Sequence, residues 1–336
     1  MLRGKRAVVI GVANARSIAW GVADRWWREG AEVFVTYQSA RFRKPVEKLV
    51  RERWGPFDDD TLLPSAACDV SNEQDIAALW RTLQERGFCS SSGSFGALQR
   101  SPENETGYTS VAPPATSQAS ALMASSGDER DGREQEQEEE GEQGGVVSEE
   151  ALGMPKKVDA ILHAVAHAPS EAMRQGSFLS GTTKEDFVSA HVVSAYSLLS
   201  TTRHALPFLA PGASVIALTY IGSQRATKNY NVMGPAKASL ESCVRALAQE
   251  LGGSPAHGAP GGIRVNCLSP GPVRTMAARG IVGFDEMRRE AAERAPLMRD
   301  VGLEEIAGVA TFLASPMASA VTGQTVYADC GLSAVA

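Results

Sequence analysis

Short apolar runs alternate with amphipathic segments along most of this chain, and that alternation restricts the fold more than any other feature. Runs with strand character occur at residues 6–13, 31–38, 62–70, 158–166, 212–220, 263–271 and 325–331. The segments between them carry apolar residues at helical spacing. Parallel strands need a crossover connection, usually a helix, whereas antiparallel strands can be joined by tight turns. The pattern therefore predicts an α/β fold with a doubly wound, seven-stranded parallel sheet.

Helical periodicity is clearest in the segments that follow the apolar runs. The predicted helices include residues 17–30, 72–87, about 184–206, about 230–251 and 284–297. Gly30 and Gly87 close the first two, as glycine commonly does at a helix end. The helix at 284–297 is interpreted either as a mobile lid over a substrate or as an ordinary surface helix.

Residues 90–155 differ from the rest of the chain in composition. They are rich in Ser, Gly, Pro, Gln and Glu and poor in branched aliphatic side chains, so they cannot bury enough apolar surface to offset their ordering entropy. We expect a disordered insertion that divides a single domain into residues 1–89 and 156–336. The insertion joins a helix to a strand, and such turns lie at the sheet edge opposite to the ligand site.

Charge and cysteine content exclude several classes of function. The 33 Lys and Arg residues against 39 Asp and Glu residues give a net charge of -6, without the basic footprint of a nucleic-acid-binding protein. No apolar stretch approaches the length of a membrane span, and the first predicted strand begins at residue 6, so we expect neither a membrane span nor a signal peptide. Five cysteines without a C-x-x-C pair indicate neither disulfides nor structural zinc. His163 and His167 straddle a strand end, so no metal site is expected.

The segment GVANARSIAWG, residues 11–21, connects the first predicted strand to a helix. Unpaired N–H groups in the first turn of a helix bind phosphate, so this position suits a dinucleotide pyrophosphate and a Rossmann-type fold. The segment is not G-x-G-x-x-G, because Ser17 stands where a glycine is usual. Gly11 is interpreted as part of the cofactor site or as no more than a tight turn, and Ser17 as a phosphate donor or a helix cap.

The ends of the next two predicted strands carry candidate adenosine contacts. Asp69 could accept a hydrogen bond from an adenine amine, with Val70 packed on the ring; the alternative is that Asp69 is the N-cap of the next helix. Gln38 ends the second apolar run, at the position where an Asp or Glu residue usually accepts a hydrogen bond from the ribose 2′-hydroxyl. Its amide can still hydrogen-bond the adenosine moiety. The nearby basic residues that could receive a 2′-phosphate are Arg41, Arg43 and Lys44. Because Gln38, at the strand end itself, is neutral, NADH is expected, with NADPH as the alternative.

Tyr230 and Lys237 are seven residues apart, whereas many nicotinamide-dependent reductases of this size pair these residues four apart. In a helix, residues four apart and residues seven apart both lie on one face, but the longer spacing moves the phenol about one turn along the cofactor. Reduction of a ketone needs a proton donor one bond from the hydride acceptor. Reduction of an α,β-unsaturated thioester collects charge on an oxygen several bonds away, so the displaced phenol suits that second reaction.

Four segments together resemble the enoyl-[acyl-carrier-protein] reductases of type II fatty acid synthesis, which are short-chain dehydrogenases/reductases. They are GVANARSIAWG, TYIGSQRATKNYNVMGPAK, IRVNCLSPGPVRT and TGQTVYADCG. The resemblance covers residues 3–88 and 157–334, and its most specific element is Tyr-x6-Lys with Tyr220 ten residues before Tyr230. It implies reduction of trans-2-enoyl chains on acyl carrier protein by a homotetramer.

The resemblance implies a role for each matching residue. Tyr230 would bond the thioester oxygen, Lys237 the nicotinamide ribose, and Tyr220, the third member of the catalytic set, would line the acyl pocket; Ala168 would also contact the substrate. The remaining cofactor contacts would be Gly11, Ser17 and Ile18 at the pyrophosphate, Gln38, Asp69 and Val70 at the adenosine, Val165 at the centre, and Val273 and Thr275 near the carboxamide.

Two other functions fit parts of this pattern. One is a short-chain carbonyl reductase or dehydrogenase, although Gly234 occupies the position where that class would need its lysine. The other is a dinucleotide-binding scaffold without catalytic activity, against which the joint presence of both tyrosines and the lysine argues. The expected compartment is the cytoplasm, or a plastid or mitochondrion if the chain is a eukaryotic organelle protein.

Overall fold

The computed structural model describes residues 1–55, 57, 59, 63–92, 155–173, 178–253 and 260–335. Residues 93–154, which make up nearly all of the predicted disordered insertion, lie outside the described residues. The described parts on either side of them contribute strands to the same sheet.

Seven parallel strands form one sheet in the order β3-β2-β1-β4-β5-β6-β7, which confirms the predicted fold class. The order runs outward in both directions from β1 and β4, so the switch of direction lies between these two strands. Ligands of doubly wound sheets bind at that point, beyond the carboxyl ends of the strands. The strands are β1 Arg6–Ile10, β2 Glu32–Tyr37, β3 Ser65–Ala67, β4 Val158–His163, β5 Leu209–Leu218, β6 Arg264–Pro270 and β7 Thr325–Ala328.

The central strands are buried on both faces, which explains why they consist of nearly continuous apolar residues. All five residues of β1 are buried, and Val8 pairs with Ile161 of β4, which in turn pairs with Val215 of β5. Successive side chains of a strand point to opposite faces of the sheet, so Val8 and Ile10 belong to one hydrophobic cluster and Ala7 and Val9 to a second cluster on the other face.

Helices cover both faces of the sheet. The α-helices of the described residues are α1 Ile18–Arg28, α2 Ala40–Trp54, α3 Glu73–Glu85, α4 Phe178–Gly181, α5 Lys184–His191, α6 Ser197–Ala205, α7 Met233–Gly252, α8 Phe284–Arg294 and α9 Leu303–Ala314. Helices α1, α2 and α9 pack on one face, whereas α3, α6 and α7 pack on the other. Within the described ranges, no helix has both the length and the apolar character that crossing a bilayer requires.

Two helical segments differ from the sequence prediction. The single helix expected at about 184–206 is interrupted by a π-helical stretch, Val192–Tyr196, between α5 and α6. Its extra residue per turn leaves no signature in hydrophobic periodicity, and such stretches are frequent near functional sites. Helix α9 was not predicted, although Ile306, Ala310 and Leu313 are buried at helical spacing.

Candidate active site

The carboxyl ends of β4, β5 and β6 lead into loops that meet over a third hydrophobic cluster. We call it the carboxyl-edge cluster; its residues are Ala172, Met173, Ala190, Tyr230, Val232, Met233 and Ala236, with Ala168, Tyr220 and Ile281 packed against it. The structure thus brings together the three residues that the sequence predicts for the substrate, Ala168, Tyr220 and Tyr230.

The rings of Tyr220 and Tyr230 contact each other edge to face, with centroids 4.9 Å apart and planes at 61°. Gly222 makes this contact possible. A Cβ atom at Gly222 would lie 2.4 Å from a ring carbon of Tyr230 and 3.3 Å from one of Tyr220. Sequence analysis missed this residue, because a loop glycine carries no sign of which side chains will approach it.

Tyr230 does not belong to a helix, so the prediction that Tyr230 and Lys237 share one helix face is wrong. Helix α7 begins at Met233, and Tyr230 lies in a turn between Asn229 (φ 61°) and Asn231 (φ 39°). A right-handed helix cannot contain residues with positive φ, and asparagine tolerates that conformation better than most residues. The position of the phenol is therefore set by a turn rather than by helical periodicity.

The two asparagines also fix that turn to its surroundings. Asn229 donates its side-chain amide to the carbonyl of Val282 at 2.8 Å, and Asn231 donates to the carbonyl of Ala172 at 3.0 Å. The turn is thus tied to both neighbouring loops, and Tyr230 is held between them with 8 % of its surface exposed.

Lys237 is buried in the second turn of α7. Its ammonium group donates to the carbonyl of Leu218 at 2.6 Å and to that of Val165 at 3.4 Å, at the ends of β5 and β4. Burial lowers the pKa of Lys237 to about 8, so the amine is still mostly protonated at neutral pH. A charged group is therefore held at the switch point of the sheet.

Burial has the opposite effect on the two phenols. It raises the pKa of Tyr220 to about 12, with a smaller contribution from Asp329. It raises the pKa of Tyr230 further, assisted by Tyr220 and Glu241. Both phenols therefore stay protonated at neutral pH and can donate hydrogen bonds.

Gly11 lies at the end of β1 with φ +99°, a conformation that favours glycine. A Cβ atom there would lie 2.7 Å from the carbonyl oxygen of Ala164 and 3.0 Å from Cγ2 of Val165. Two predicted cofactor residues that are far apart in sequence, Gly11 and Val165, are thus in direct contact beside the switch point.

Ser17 caps helix α1. Its hydroxyl oxygen accepts from the N–H of Trp20 at 3.3 Å and its hydroxyl donates to the carbonyl of Asn14 at 2.7 Å. The helix-cap interpretation is confirmed, and the role toward phosphate stays a prediction. Ile18 is the first residue of α1 and is half-buried against the core.

The predicted adenosine contacts lie at the ends of β2 and β3. Gln38 is exposed directly after β2, whereas Val70 is buried. Asp69 accepts from the N–H and the hydroxyl of Ser71, at 3.0 and 2.7 Å. The alternative that Asp69 caps the next helix is wrong, because Asn72 is the N-cap of α3 and accepts from Gln74 N–H at 2.9 Å.

Val273 and Thr275 follow β6 in a tight turn. The N–H of Thr275 donates to the carbonyl of Val273 at 2.8 Å, and the Thr275 hydroxyl oxygen accepts from the N–H of Ala278 at 3.1 Å. The chain then leads to α8, in which no residue is buried. Met287 of α8 receives a weak hydrogen bond from Tyr220, with 3.9 Å between Oη and Sδ, so the predicted lid helix touches the site.

His163 and His167 do not converge. His163 is fully buried at the end of β4 and its Nε2 bonds Ser197 Oγ at 2.8 Å, whereas His167 is exposed. Burial, reinforced by the charge of Lys237, lowers the pKa of His163 to about 3, so it is neutral. In the part of the chain that the structure describes, no three His, Cys, Asp or Glu side chains gather in a group suited to a metal ion.

A doubly wound parallel sheet with a glycine turn after β1 and a Tyr-Lys pair beyond β5 defines a nicotinamide-dependent oxidoreductase of the short-chain dehydrogenase/reductase class. The family profile described as "Enoyl-(Acyl carrier protein) reductase" matches residues 11–88 and 139–333. The chain belongs to that family.

Individual relatives agree with this assignment over the whole chain. This chain is 32% identical to the enoyl-[acyl-carrier-protein] reductase [NADH] FabI of Bacillus cereus, and the aligned region covers 98% of this chain and 97% of the relative. The identity to the protein of the same description from Enterococcus faecalis is 33%, with 98% of each chain covered.

Two solved structures extend the similarity to the fold. The Bacillus cereus enoyl-acyl carrier protein reductase with NADP+ and indole naphthyridinone superimposes with a TM-score of 0.73 at 30% identity, covering 100% of this chain and 98% of that one. The enzyme of Anaplasma phagocytophilum in complex with NAD gives a TM-score of 0.70 at 28% identity, with 99% and 95% covered.

Proposed function

We propose that this protein uses NADH to reduce the trans-2 double bond of enoyl chains carried as thioesters on acyl carrier protein, in the elongation steps of fatty acid synthesis. One observation carries the proposal: the rings of Tyr220 and Tyr230 are in contact at the carboxyl edge of the sheet, in the apolar cluster against which Ala168 packs, and the ammonium of Lys237 binds the carbonyl of Leu218 at the end of β5. An acyl chain needs an apolar wall, and its thioester oxygen needs a hydrogen-bond donor.

The residues beside the switch point fit a dinucleotide. Gly11 permits the close approach of the chain after β4, the first turn of α1 offers N–H groups to phosphate, and Lys237 supplies a positive charge. NADH, when bound, supplies the hydride. The residues proposed to hold it are Gly11, Ser17, Ile18, Gln38, Asp69, Val70, Val165, Lys237, Val273 and Thr275.

Tyr230 is the proposed donor to the thioester oxygen. Its phenol is protonated, so it can stabilise the negative charge that gathers on this oxygen when hydride adds to the β-carbon. Because α7 begins only at Met233, Tyr230 lies in the turn before the helix, where its ring packs against Tyr220. Tyr220 and Ala168 are proposed to line the acyl chain.

The residues at the end of β2 bear on the choice between NADH and NADPH. Gln38 is neutral, and Arg43 is held by Glu47, with 2.8 Å between Nε and Oε1. Arg41 lies over the ring of Phe42, 5.6 Å from its centroid, and faces solvent. Initial rates with NADH and with NADPH, at equal concentrations of an enoyl thioester, test this choice.

Oxidation of NADH in the presence of crotonyl-CoA tests the function directly. Crotonyl thioester should be consumed, a ketone substrate should not, and Tyr230→Phe should lose most of the rate. Consumption of ketones instead would favour a carbonyl reductase. Cofactor binding without consumption of either substrate would favour a scaffold without catalytic activity.

Assembly, domain organisation and compartment complete the proposal. We propose a homotetramer, which the mass in solution from light scattering would test.

Residues 1–89 and 156–336 are proposed to fold as one domain around a dispensable insertion, 90–155, so a variant with a short linker in its place should retain activity. All five cysteines are free, which agrees with a reducing compartment, the cytoplasm or an organelle interior.

A further inference from the structure

Glu241 carries a carboxylate that is 4 % exposed, on α7 one turn beyond Lys237. Burying a carboxylate is unfavourable unless it is well hydrogen-bonded. Its Oε1 accepts from Thr219 Oγ1 at 2.7 Å and from Ser223 Oγ at 2.5 Å, and its Oε2 accepts from Gln224 Nε2 at 3.3 Å. All three donors are neutral side chains, so the carboxylate is held by hydrogen bonds from uncharged partners.

All three donors come from one short segment, residues 219–224, which follows β5. This segment also carries Tyr220 and Gly222. Gly222 lies against the ring of Tyr230, and its carbonyl oxygen would be 3.0 Å from a Cβ atom at Gly234 in the first turn of α7. The segment is thus packed against the first turn of α7 and the ring of Tyr230, and Glu241 binds it to α7.

We propose that Glu241 is a positioning residue of the active site, which holds the segment 219–224 so that Tyr220 and Tyr230 face the acyl thioester. The proposal rests on the function proposed above, because it assigns the carboxylate to the geometry of that site. Glu241 itself touches neither substrate nor cofactor in this assignment. It acts through the tyrosines by geometry and through Lys237 by charge.

The charge of Glu241 has a second effect. Burial lowers the pKa of Lys237, whereas the charge of Glu241 opposes that shift; the nearby thiol of Cys267, whose own pKa burial raises to about 12, is uncharged at the pH where Lys237 titrates. The buried ring of His163 on β4 is neutral and also lies within the influence of Lys237, while the charge of Glu241 acts on Tyr230 and Tyr327 as well. Neutralising Glu241 should therefore lower the pKa of Lys237 further and remove its proton at a lower pH.

Two variants separate geometry from charge. Glu241→Gln keeps an oxygen that can accept from Thr219 and Ser223 but removes the charge, whereas Glu241→Ala removes both. Glu250→Gln, an exposed carboxylate on the same helix, is the matched control. Each purified full-length variant is compared with the parent by thermal unfolding, by NADH affinity from pH 6.5 to 9.5, and by turnover of crotonyl-CoA.

We expect Glu241→Ala to lower kcat by about 10- to 100-fold, because misplacing a donor is costly in the transition state. Glu241→Gln should lower kcat by less than about tenfold, and should shift the alkaline loss of NADH affinity to lower pH by about one unit. Glu250→Gln should change neither. A purely structural role would lower the melting temperature of the Glu241 variants without moving the pH dependence.

The outcomes distinguish this inference from the proposed function. If the parent protein binds NADH but consumes no enoyl thioester, the proposed function fails, while the pH dependence of NADH affinity still decides on the link between Glu241 and Lys237. If the parent is active and Glu241→Gln matches it in kcat and in pH dependence, the inference is overturned. Ser223→Ala combined with Glu241→Ala should be less harmful than the sum of the two single effects, since the hydrogen bond between Ser223 and Glu241 is lost in each single variant.

Discussion

The two ends of the candidate cofactor site are built in contrasting ways. At the adenosine end, Gln38 is exposed and Asp69 is occupied by local hydrogen bonds to Ser71. At the catalytic end, Tyr230 and Lys237 are buried, and each is fixed by neighbours from different elements. Substituting an exposed group costs little free energy, whereas substituting a buried polar group removes its hydrogen bonds and its packing contacts at the same time.

This contrast has a chemical reason. The adenosine moiety only has to be held, so one weak contact can replace another. The thioester oxygen acquires charge during the reaction, and a donor that is already oriented in a dry site stabilises it without reorganising. Substitutions at the catalytic end should therefore have large effects that depend on geometry, and those at the adenosine end small effects that add up.

Replacing Tyr230 by Phe should have the largest effect. The change removes only the hydroxyl and keeps the ring contact with Tyr220. Loss of one preorganised donor typically costs 10²- to 10³-fold in rate, about 3–4 kcal/mol. We expect that loss in kcat with crotonyl-CoA, together with unchanged NADH affinity measured by fluorescence. Equal kcat values for the two proteins would remove Tyr230 from the proposed reaction.

Gly222→Ala should disturb the same site through packing. Its Cβ would lie 2.4 Å from a ring carbon of Tyr230, so the ring or the segment 219–224 has to move. Overpacking of this kind costs about 1–3 kcal/mol of unfolding free energy, which urea titration measures, and kcat should fall as well. Gly252→Ala is the control, because a Cβ atom there meets nothing within 4 Å. A stable and fully active Gly222→Ala would contradict the tyrosine packing.

The titration of Lys237 should separate cofactor binding from stability. Its folded pKa, about 8, lies below the ordinary value of 10.5, so between these values the unfolded chain binds more protons. The contribution of Lys237 to stability should therefore rise with pH across this window, while NADH affinity falls as its charge is lost. Urea unfolding and NADH titration at several pH values measure the two trends. Lys237→Met should abolish both pH dependences. If stability and NADH affinity changed in the same direction with pH in the parent protein, this assignment would be contradicted.

The fold could be predicted because its signals are local and repeated. Each strand has its own apolar run, and the order of strands and helices leaves few topologies. Helix α9 was not predicted, although residues 306–314 form an apolar run and its buried face has helical spacing. The π-helical stretch at Val192–Tyr196 was not predicted because five residues are too few to distinguish its period from that of an α-helix.

The candidate site could be predicted only as a set of residue types. The segments that resemble the family place Tyr220, Tyr230 and Lys237 near each other, but the turn at Asn229 and Asn231 that orients the phenol depends on backbone angles that asparagine allows without requiring. Gly222 and Glu241 were missed for a related reason. Their importance lies in contacts with side chains that only the folded chain brings close.

Gln38→Ala should have the smallest effect and so sharpens the contrast between the two ends. The side chain is exposed after β2, so its bond to the cofactor would compete with water. A hydrogen bond of this kind contributes about 0.5–1.5 kcal/mol, which corresponds to a rise of about two- to tenfold in KM for NADH. The value of kcat should not change, because Gln38 lies at the opposite end of the dinucleotide from the reacting carbon in this proposal. Steady-state kinetics with varied NADH at saturating crotonyl-CoA measure both constants, and a fall in kcat comparable to that of Tyr230→Phe would mean that the adenosine end is as finely positioned as the catalytic end.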